Sequence, residues 1–260
     1  MAKKIDEVDD MEEAFRMLEL QDENFDDFRE EIQKGFSDKK TLGSALSAAM
    51  EIITCKNQDD SSVFEKTAKA IDLISTISST LQVFSQYTET FSVLSGIIKN
   101  VGLALKSNTK SQKEDTVYCE LKRYQDSELL AEAVGLEEAL FSIHAYMNCL
   151  SEETNMCVIN SLEDKICANE TARFLGKLKS KTEEILMTID VLSAYRAKTY
   201  MNLFVRIAVL RTLVLWQMFC IKKQSDADPT STQGVLAMIT ENKKTDLEMF
   251  EYVTESHIDK

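Results

Sequence analysis

The chain has 260 residues and a net charge of −14 at pH 7, with 44 acidic and 30 basic side chains. This balance argues against nucleic-acid binding, because neutralising phosphates needs a basic stripe and the sequence shows none. One Pro and seven Gly leave few turns, since average usage would give about thirteen and eighteen, and they favour a few long helices.

The N-terminal part is predicted to be an acidic helix, Asp9 to Lys34, followed after Gly35 by a shorter helix, Leu42 to Lys56. Residues 1–40 hold 14 acidic and 7 basic side chains, so half of the net charge lies there. The N-terminus shows no apolar stretch of the kind that directs secretion. We therefore expect a protein that is cytoplasmic as a soluble molecule, or one released by a non-classical route to act on membranes.

The most unusual stretch is 71–105, which carries only three charges, Asp72, Glu89 and Lys99, yet has ten Ser and Thr between Ile74 and Gly96. At helical spacing its apolar side chains form one stripe, made of Ile77, Leu81, Phe84, Phe91, Leu94 and Ile98. A polar stripe faces the other way and consists of Ser75, Ser78, Gln82, Ser85, Glu89 and Ser92.

Two environments suit such a helix. In a soluble bundle, the apolar stripe is buried in the core, because exposing it would leave an unusually large apolar patch. In a membrane, the apolar stripe faces lipid and the hydroxyl stripe lines water. In that second state several copies would form a ring of Glu89 side chains, which would favour cations. Membrane affinity would come from apolar insertion, since an acidic chain is repelled by anionic headgroups.

Further helices are predicted over Val117 to Leu150, with Gly135 as a candidate kink, from after Thr154 to Lys223, with a candidate bend near Asn169 or Gly176, and over Gly234 to Thr254. The second of these helices contains another apolar run, residues 199–221, that is long enough to span a bilayer. Arg206 and Arg211 lie in its middle and make insertion costly, so we interpret it as the most buried helix of a soluble bundle. The two arginines then need acidic partners on neighbouring helices, and Trp216 is expected to be a core anchor.

No residue pattern indicates catalysis. His144 and His257 have no metal-ligand spacing around them, and no phosphate-binding loop or nucleophile motif occurs. Glu137 and Glu138 are expected to be solvated. We therefore expect no catalytic residue, no metal, no cofactor and no enzymatic activity. The six cysteines show no C-x-x-C pair and are expected to be reduced: Cys55, Cys119, Cys149, Cys157, Cys167 and Cys220.

The run Val205-Arg-x-x-x-Leu-Arg-x-Leu-Val-Leu-Trp-Gln217, the Ser/Thr-rich apolar helix before it and the intervening helix 129–150 resemble the rapunzel family of animal proteins. More distantly, the layout resembles α-helical pore-forming toxins of the haemolysin E and Cry6 type. The resemblance implies a long-helix bundle with an apolar segment that is released to insert in membranes. The chain departs from those toxins in one respect, because its apolar segment is rich in hydroxyls and lacks a Gly- and Ala-rich hairpin.

The sequence thus predicts one all-α domain over residues 1–260, an elongated antiparallel bundle of long helices. Its parts are acidic helices in 1–58, the Ser/Thr-rich apolar helix in 61–106, core helices in 117–224 and a last helix in 230–257. The predicted function is to expose residues 71–105, oligomerise and permeabilise a membrane, with lipid and further copies of the chain as partners. The alternative is an intracellular all-α scaffold or adaptor that binds a protein partner and has no membrane role.

Overall fold

The computed structural model describes residues 95, 98, 116–124, 126–149, 156–188, 191–225 and 229–258. Every regular element in these ranges is helical, so the predicted all-α fold class is confirmed. In chain order the helices are α1 (Thr116–Arg123), α2 (Ser127–Asn148), α3 (Met156–Leu162), α4 (Thr171–Leu186), α5 (Val191–Gln224) and α6 (Pro229–Ile258). A π-helical segment, Glu163–Glu170, joins α3 to α4. Ser95 and Ile98 are also helical.

Helix α5 lies at the centre of the bundle. It packs against α4, α6 and α2, and also contacts α1 and the π-helical segment. All residues from 199 to 222 are buried, because α5 is apolar around its whole circumference and no face of it suits water. Trp216 is 1% exposed and packs edge-on against Phe219, with ring centroids 5.3 Å apart. The bundle is therefore built around this helix.

The single helix predicted from Val117 to Leu150 is wrong, because the structure divides it into α1 and α2 around Asp126. The backbone N–H of Asp126 donates to the carbonyl of Leu121 at 3.0 Å, which closes the end of α1. The carboxylate of Asp126 makes no capping bond to α2 and instead accepts hydrogen bonds from Arg196 and Tyr200 of α5. A long-range contact thus fixes the break.

The continuous helix predicted up to Lys223 is also wrong. Helix α4 ends at Leu186 and α5 begins at Val191. The N–H of Thr188 donates to the carbonyl of Ile185 at 2.9 Å, and its hydroxyl donates to the carbonyl of Glu184 at 3.4 Å. Such local side-chain bonds compete with helical ones. The last helix begins earlier than the predicted Gly234, at Pro229, a residue type suited to the first helical position.

The π-helical segment turns some of its own side chains toward the core. Its wider turns leave carbonyl groups that side chains five residues later reach: Asn169 donates to Asp164 at 2.6 Å, and Thr171 donates to Ile166 at 2.8 Å. Within the segment Glu163 and Cys167 are buried. Glu163 thereby comes within reach of α5.

Candidate functional site: the buried helix and its polar partners

Of the two predicted stripes in 71–105, only Ile98 is among the described residues, and it is fully buried. The other positions of the apolar stripe lie outside the described residues: Ile77, Leu81, Phe84, Phe91 and Leu94. The same holds for the polar stripe: Ser75, Ser78, Gln82, Ser85, Glu89 and Ser92. Their packing stays a prediction, and the site is built from the part of the stretch that the structure places, Ser95 and Ile98.

Arg206 and Arg211, for which the sequence predicts acidic partners, are 0% and 2% exposed. Nε of Arg206 is 3.3 Å from Oε1 of Glu137 on α2. A terminal nitrogen of Arg211 is 2.8 Å from Oδ2 of Asp246 on α6. Each guanidinium therefore joins α5 to a different neighbouring helix.

Glu137 corrects the sequence interpretation, which has Glu137 and Glu138 both solvated. Glu138 is exposed, but Glu137 is buried. On α2 it follows Ala133 by one turn and precedes His144 by two turns, so it stands on the helix face that is turned inward. Its helical spacing from Ala133 and Leu140, which are apolar, was the feature of the sequence that could have indicated its burial.

Two further cations of α5 are paired, one near each end. The buried ammonium of Lys222 donates to Glu163 of the π-helical segment. Near the start of α5, Arg196 donates to Asp126 at 2.9 Å and lies over the rings of Tyr124 and Tyr200, 5.5 and 5.7 Å from their centroids. Burial raises the pKa of Asp126, but the bonds from Tyr200 and Arg196 outweigh it and hold that pKa below its ordinary value. Ion pairs thus tie helix α5 to α2, to α6, to the π-helical segment and to the connection between α1 and α2.

A cluster of uncharged polar side chains joins Ser95 to α2 and α5. The amide nitrogen of Gln217 donates to Oγ of Ser95 at 2.9 Å, and Oε1 of Gln217 is 3.0 Å from Nδ1 of His144. Nδ2 of Asn148 donates to the carbonyl of His144 at 3.0 Å and lies 3.1 and 3.3 Å from Nε2 and Nδ1 of its ring. Ser95 donates to Oδ1 of Asn148. Gln217 is fully buried, His144 is 9% exposed and Asn148 is exposed, so the cluster runs from the core to solvent.

Side-chain exposure is described for four of the cysteines, and it separates them into two classes. Cys149 and Cys157 are exposed, whereas Cys167 and Cys220 are buried, and all four are free thiols. Burial raises the pKa of Cys167 and of Cys220 to about 12. Because the thiolate is the reactive form, the two buried thiols should be inert in the folded protein.

Alkylation of the native protein at neutral pH is therefore expected to label Cys149 and Cys157 and to spare Cys167 and Cys220 until denaturant is added. Peptide mass spectrometry measures this directly. The denatured, unreduced chain should show all six cysteines alkylated. Any cysteine that is labelled only after reduction would show a disulfide and contradict the expected free thiols.

Within the described residues, one helical stretch, Arg196–Gln224, is long and apolar enough to cross a membrane. The apolar window that qualifies it is entirely buried inside the bundle, and the core helix of a soluble protein meets the same criterion. The described residues also contain no group of three or more His, Cys, Asp or Glu side chains placed to hold a metal ion. The interactions described at this site are ion pairs and hydrogen bonds around one apolar helix.

Comparison with known proteins relates the sequence of the chain to that of a toxin. The chain is 22% identical to toxin CfTX-B of Chironex fleckeri over 227 residues, which cover 82% of this chain and 49% of that toxin. The chain thus spans about half the length of the curated relative it matches. No solved structure matches the chain.

The toxin-like part of the resemblance seen in the sequence is confirmed, and the finer likeness to the rapunzel, haemolysin E and Cry6 proteins stays a prediction. The model of the CaTX-A toxin domain matches residues 9–248, a range that includes α1 to α5 and most of α6. Because this match covers nearly the whole chain, the protein belongs to the CaTX-A toxin domain family.

Proposed function

We propose that this protein is a pore-forming toxin-like protein that releases the segment 71–105 from its bundle, oligomerises and permeabilises a membrane. The observation that carries the proposal is the family match over residues 9–248. The released segment offers what a pore requires, since one of its stripes is apolar and the other is hydroxylated. Lipid and further copies of the chain are the proposed partners, and no enzymatic step is involved.

The charges of α5 favour 71–105 over α5 as the segment that enters the membrane. Arg206 and Arg211 lie mid-helix, and each costs about 2.5 to 3.5 kcal/mol in the centre of a bilayer. Withdrawing α5 would also leave Glu137 and Asp246 in the interior without the cations they face. The segment 71–105 has three charged residues in thirty-five, and its apolar stripe has none. It therefore leaves the bundle at lower electrostatic cost.

Dye release from loaded liposomes tests the proposal, and light scattering follows oligomer formation. The sharpest form uses a lock between Ser95→Cys and Asn148→Cys, two positions joined by a hydrogen bond, bridged by a short reducible crosslinker. Cys55, Cys119, Cys149 and Cys157 are replaced by Ser in this variant, and Cys167 and Cys220 are buried, so that only the new pair reacts. We expect the bridged protein to release no dye and the same protein to release dye once the bridge is reduced.

The matched control places the same crosslinker between Glu128→Cys and Lys177→Cys. These side chains form an ion pair at 2.6 Å between α2 and α4, two helices that remain together in the proposed mechanism. This bridged control should still release dye. Release that persists with the Ser95 lock closed would contradict the role of 71–105. Absence of release in every lipid mixture, even for the unlocked chain, would remove the pore proposal and leave the scaffold alternative.

A further inference from the structure

The helix that runs from α3 through the π-helical segment into α4 changes its phase on the way. The buried residues of α4 follow the α-helical repeat of about 3.6 residues. They are Thr171, Phe174, Leu175, Leu178, Thr182 and Leu186. Counted back from Thr171 at that repeat, Asp164 and Asn160 would face the core about two and three turns earlier. The structure instead buries Glu163 and Ile159 and exposes those two residues, so the segment holds one residue more than an α-helix with the same turns.

Hydrogen bonds to carbonyl groups five residues earlier accommodate this extra residue. The backbone N–H and the hydroxyl of Thr171 both donate to the carbonyl of Ile166. The amide of Asn169 donates to the carbonyl of Asp164 at 2.6 Å. Five residues is the spacing of a π turn, and an α-helix would close the same turn after four. These bonds are therefore specific to the wide form of the segment.

The buried ammonium of Lys222 has two consecutive carboxylates near it in the sequence. It donates to Glu163, and Asp164 follows directly on the exposed side of the segment. If residues 163–170 closed into α-helical turns, everything before them would rotate by one position, about 100° around the helix axis. That rotation would carry Glu163 away from the core and bring Asp164 to the inward position. Lys222 would keep an acidic partner, and a buried charge needs one at all times.

We propose that the π-helical segment is a register switch. In its π register Lys222 pairs with Glu163, as the structure shows. In its α register Lys222 pairs with Asp164, residues 156–186 form one continuous α-helix, and α3 is turned by about 100°. The proposal goes beyond the membrane role proposed above and does not depend on it, because every contact that it uses lies between α3, the π-helical segment, α4 and α5.

The π register is the resting one because of the side chain that it buries. Ile159 is 0% exposed, and in the α register its inward place would go to Asn160, whose amide is costly to remove from water. The α register regains narrower turns but gives up the bonds of Asn169 and Thr171 described above. Positions between the two registers would leave Lys222 without either carboxylate. The switch therefore has two discrete states.

Cys157 reports which register is occupied. Its thiol is exposed in the π register. In the α register position 157 falls about four turns before Thr171, on the inward face, so the thiol becomes shielded. Cys149, at the end of α2, is exposed and lies before the part of the chain that rotates. The alkylation rate of Cys157 divided by that of Cys149 thus measures the register within one molecule.

The first test exchanges the two residues that compete for the inward place. In the double variant Ile159→Asn with Asn160→Ile, only the α register buries the isoleucine, and we expect alkylation of Cys157 to slow about tenfold or more relative to Cys149. The matched control, Asn160→Ser with Ser161→Asn, exchanges two exposed residues and should leave the ratio unchanged. A ratio equal to that of the parent in the folded Ile159 exchange variant would overturn the switch.

The second test asks which carboxylate serves Lys222 in each register. In the parent, Glu163→Gln should lower the urea concentration at the unfolding midpoint, and Asp164→Asn, at an exposed position, should not. In the Ile159 and Asn160 exchange variant we expect the reverse order. If Glu163→Gln remains the more damaging substitution in both backgrounds, Asp164 does not take over the pairing and the proposal fails.

The third test needs no change of core residue. Deletion of one residue in an α-helix rotates everything before it, but deletion of the exposed Lys165 should remove the extra residue of the π segment and leave Ile159 and Glu163 facing inward. We expect its unfolding midpoint to stay near that of the parent, with Cys157 as reactive as before. Deletion of Ser180, at an exposed position of α4, should lower the midpoint strongly. Equal losses from the two deletions would show that the segment holds no spare residue and would overturn the switch.

Discussion

Replacing Arg206 with Met is expected to lower the free energy of unfolding by about 3 to 5 kcal/mol, the usual cost of breaking a buried ion pair from one side. Arg206 is 0% exposed, and the change leaves the buried carboxylate of Glu137 without the guanidinium it faces at 3.3 Å. Met keeps much of the length and apolar volume of the side chain, so the loss reports the charge and not a cavity. Urea or guanidinium unfolding at pH 7 measures it.

A second substitution tests whether the lost stability comes from the buried carboxylate that the first one leaves without Arg206. In the double variant Arg206→Met with Glu137→Leu, both charges are gone, and we expect most of the lost stability to return, because apolar replacements of a buried pair are often neutral. The matched surface control is Glu128→Gln, which breaks the exposed contact to Lys177 and should leave the unfolding curve nearly unchanged. If Arg206→Met unfolds like the parent, the expected loss of unfolding free energy is contradicted, and Glu137 does not need the guanidinium of Arg206 to remain buried.

The sequence predicts the centre of this fold better than its connections. Residues 199–221 form a continuous apolar run in which Arg206 and Arg211 stand out, and this pattern alone predicts a buried helix with acidic partners. The breaks at Asp126 and Thr188 were missed because neither residue is a strong helix breaker. Asp126 interrupts the chain through bonds to Arg196 and Tyr200, which are seventy or more residues away. Such contacts leave no periodic signal nearby.

The sequence likewise predicts one part of the candidate site and not the other. Burial of Ile98 follows from its place in the apolar stripe. Ser95 lies outside the predicted polar stripe, and its hydroxyl accepts from Gln217 and donates to Asn148. Which helices are neighbours decides these contacts. The polar contacts of His144 depend on Gln217 of α5, and no local pattern around residue 144 encodes that. A histidine expected to be merely structural thus lies in a polar cluster built from three separate parts of the chain.

Trp216 is expected to stay shielded from lipid while the protein releases dye from liposomes. It is the sole Trp of the chain and lies on α5 with 1% exposure, so its fluorescence reports the position of that helix alone. Because insertion of α5 would bring Arg206 and Arg211 into hydrocarbon, at about 5 to 7 kcal/mol together, we expect α5 to remain the core on which the other helices pack. Lipids brominated at the middle of the acyl chain should then quench Trp216 little, and its emission maximum should not shift on membrane binding.

A probe on the segment that is proposed to move gives the matched comparison. A bimane label at Phe84→Cys, within the apolar stripe of 71–105, should be strongly quenched by the same brominated lipids under the same conditions, because that stripe is the part proposed to meet lipid. Strong quenching of Trp216 together with a silent label at position 84 would exchange the roles of the two segments. The charge pairs of α5 would then have to separate or enter the membrane with Glu137 and Asp246, since lone guanidinium groups at that depth are the costlier arrangement. Lipid quenching of Trp216 and of the label at position 84 therefore distinguishes two mechanisms. In one, α5 stays in the bundle and 71–105 enters the membrane, and in the other, α5 itself inserts.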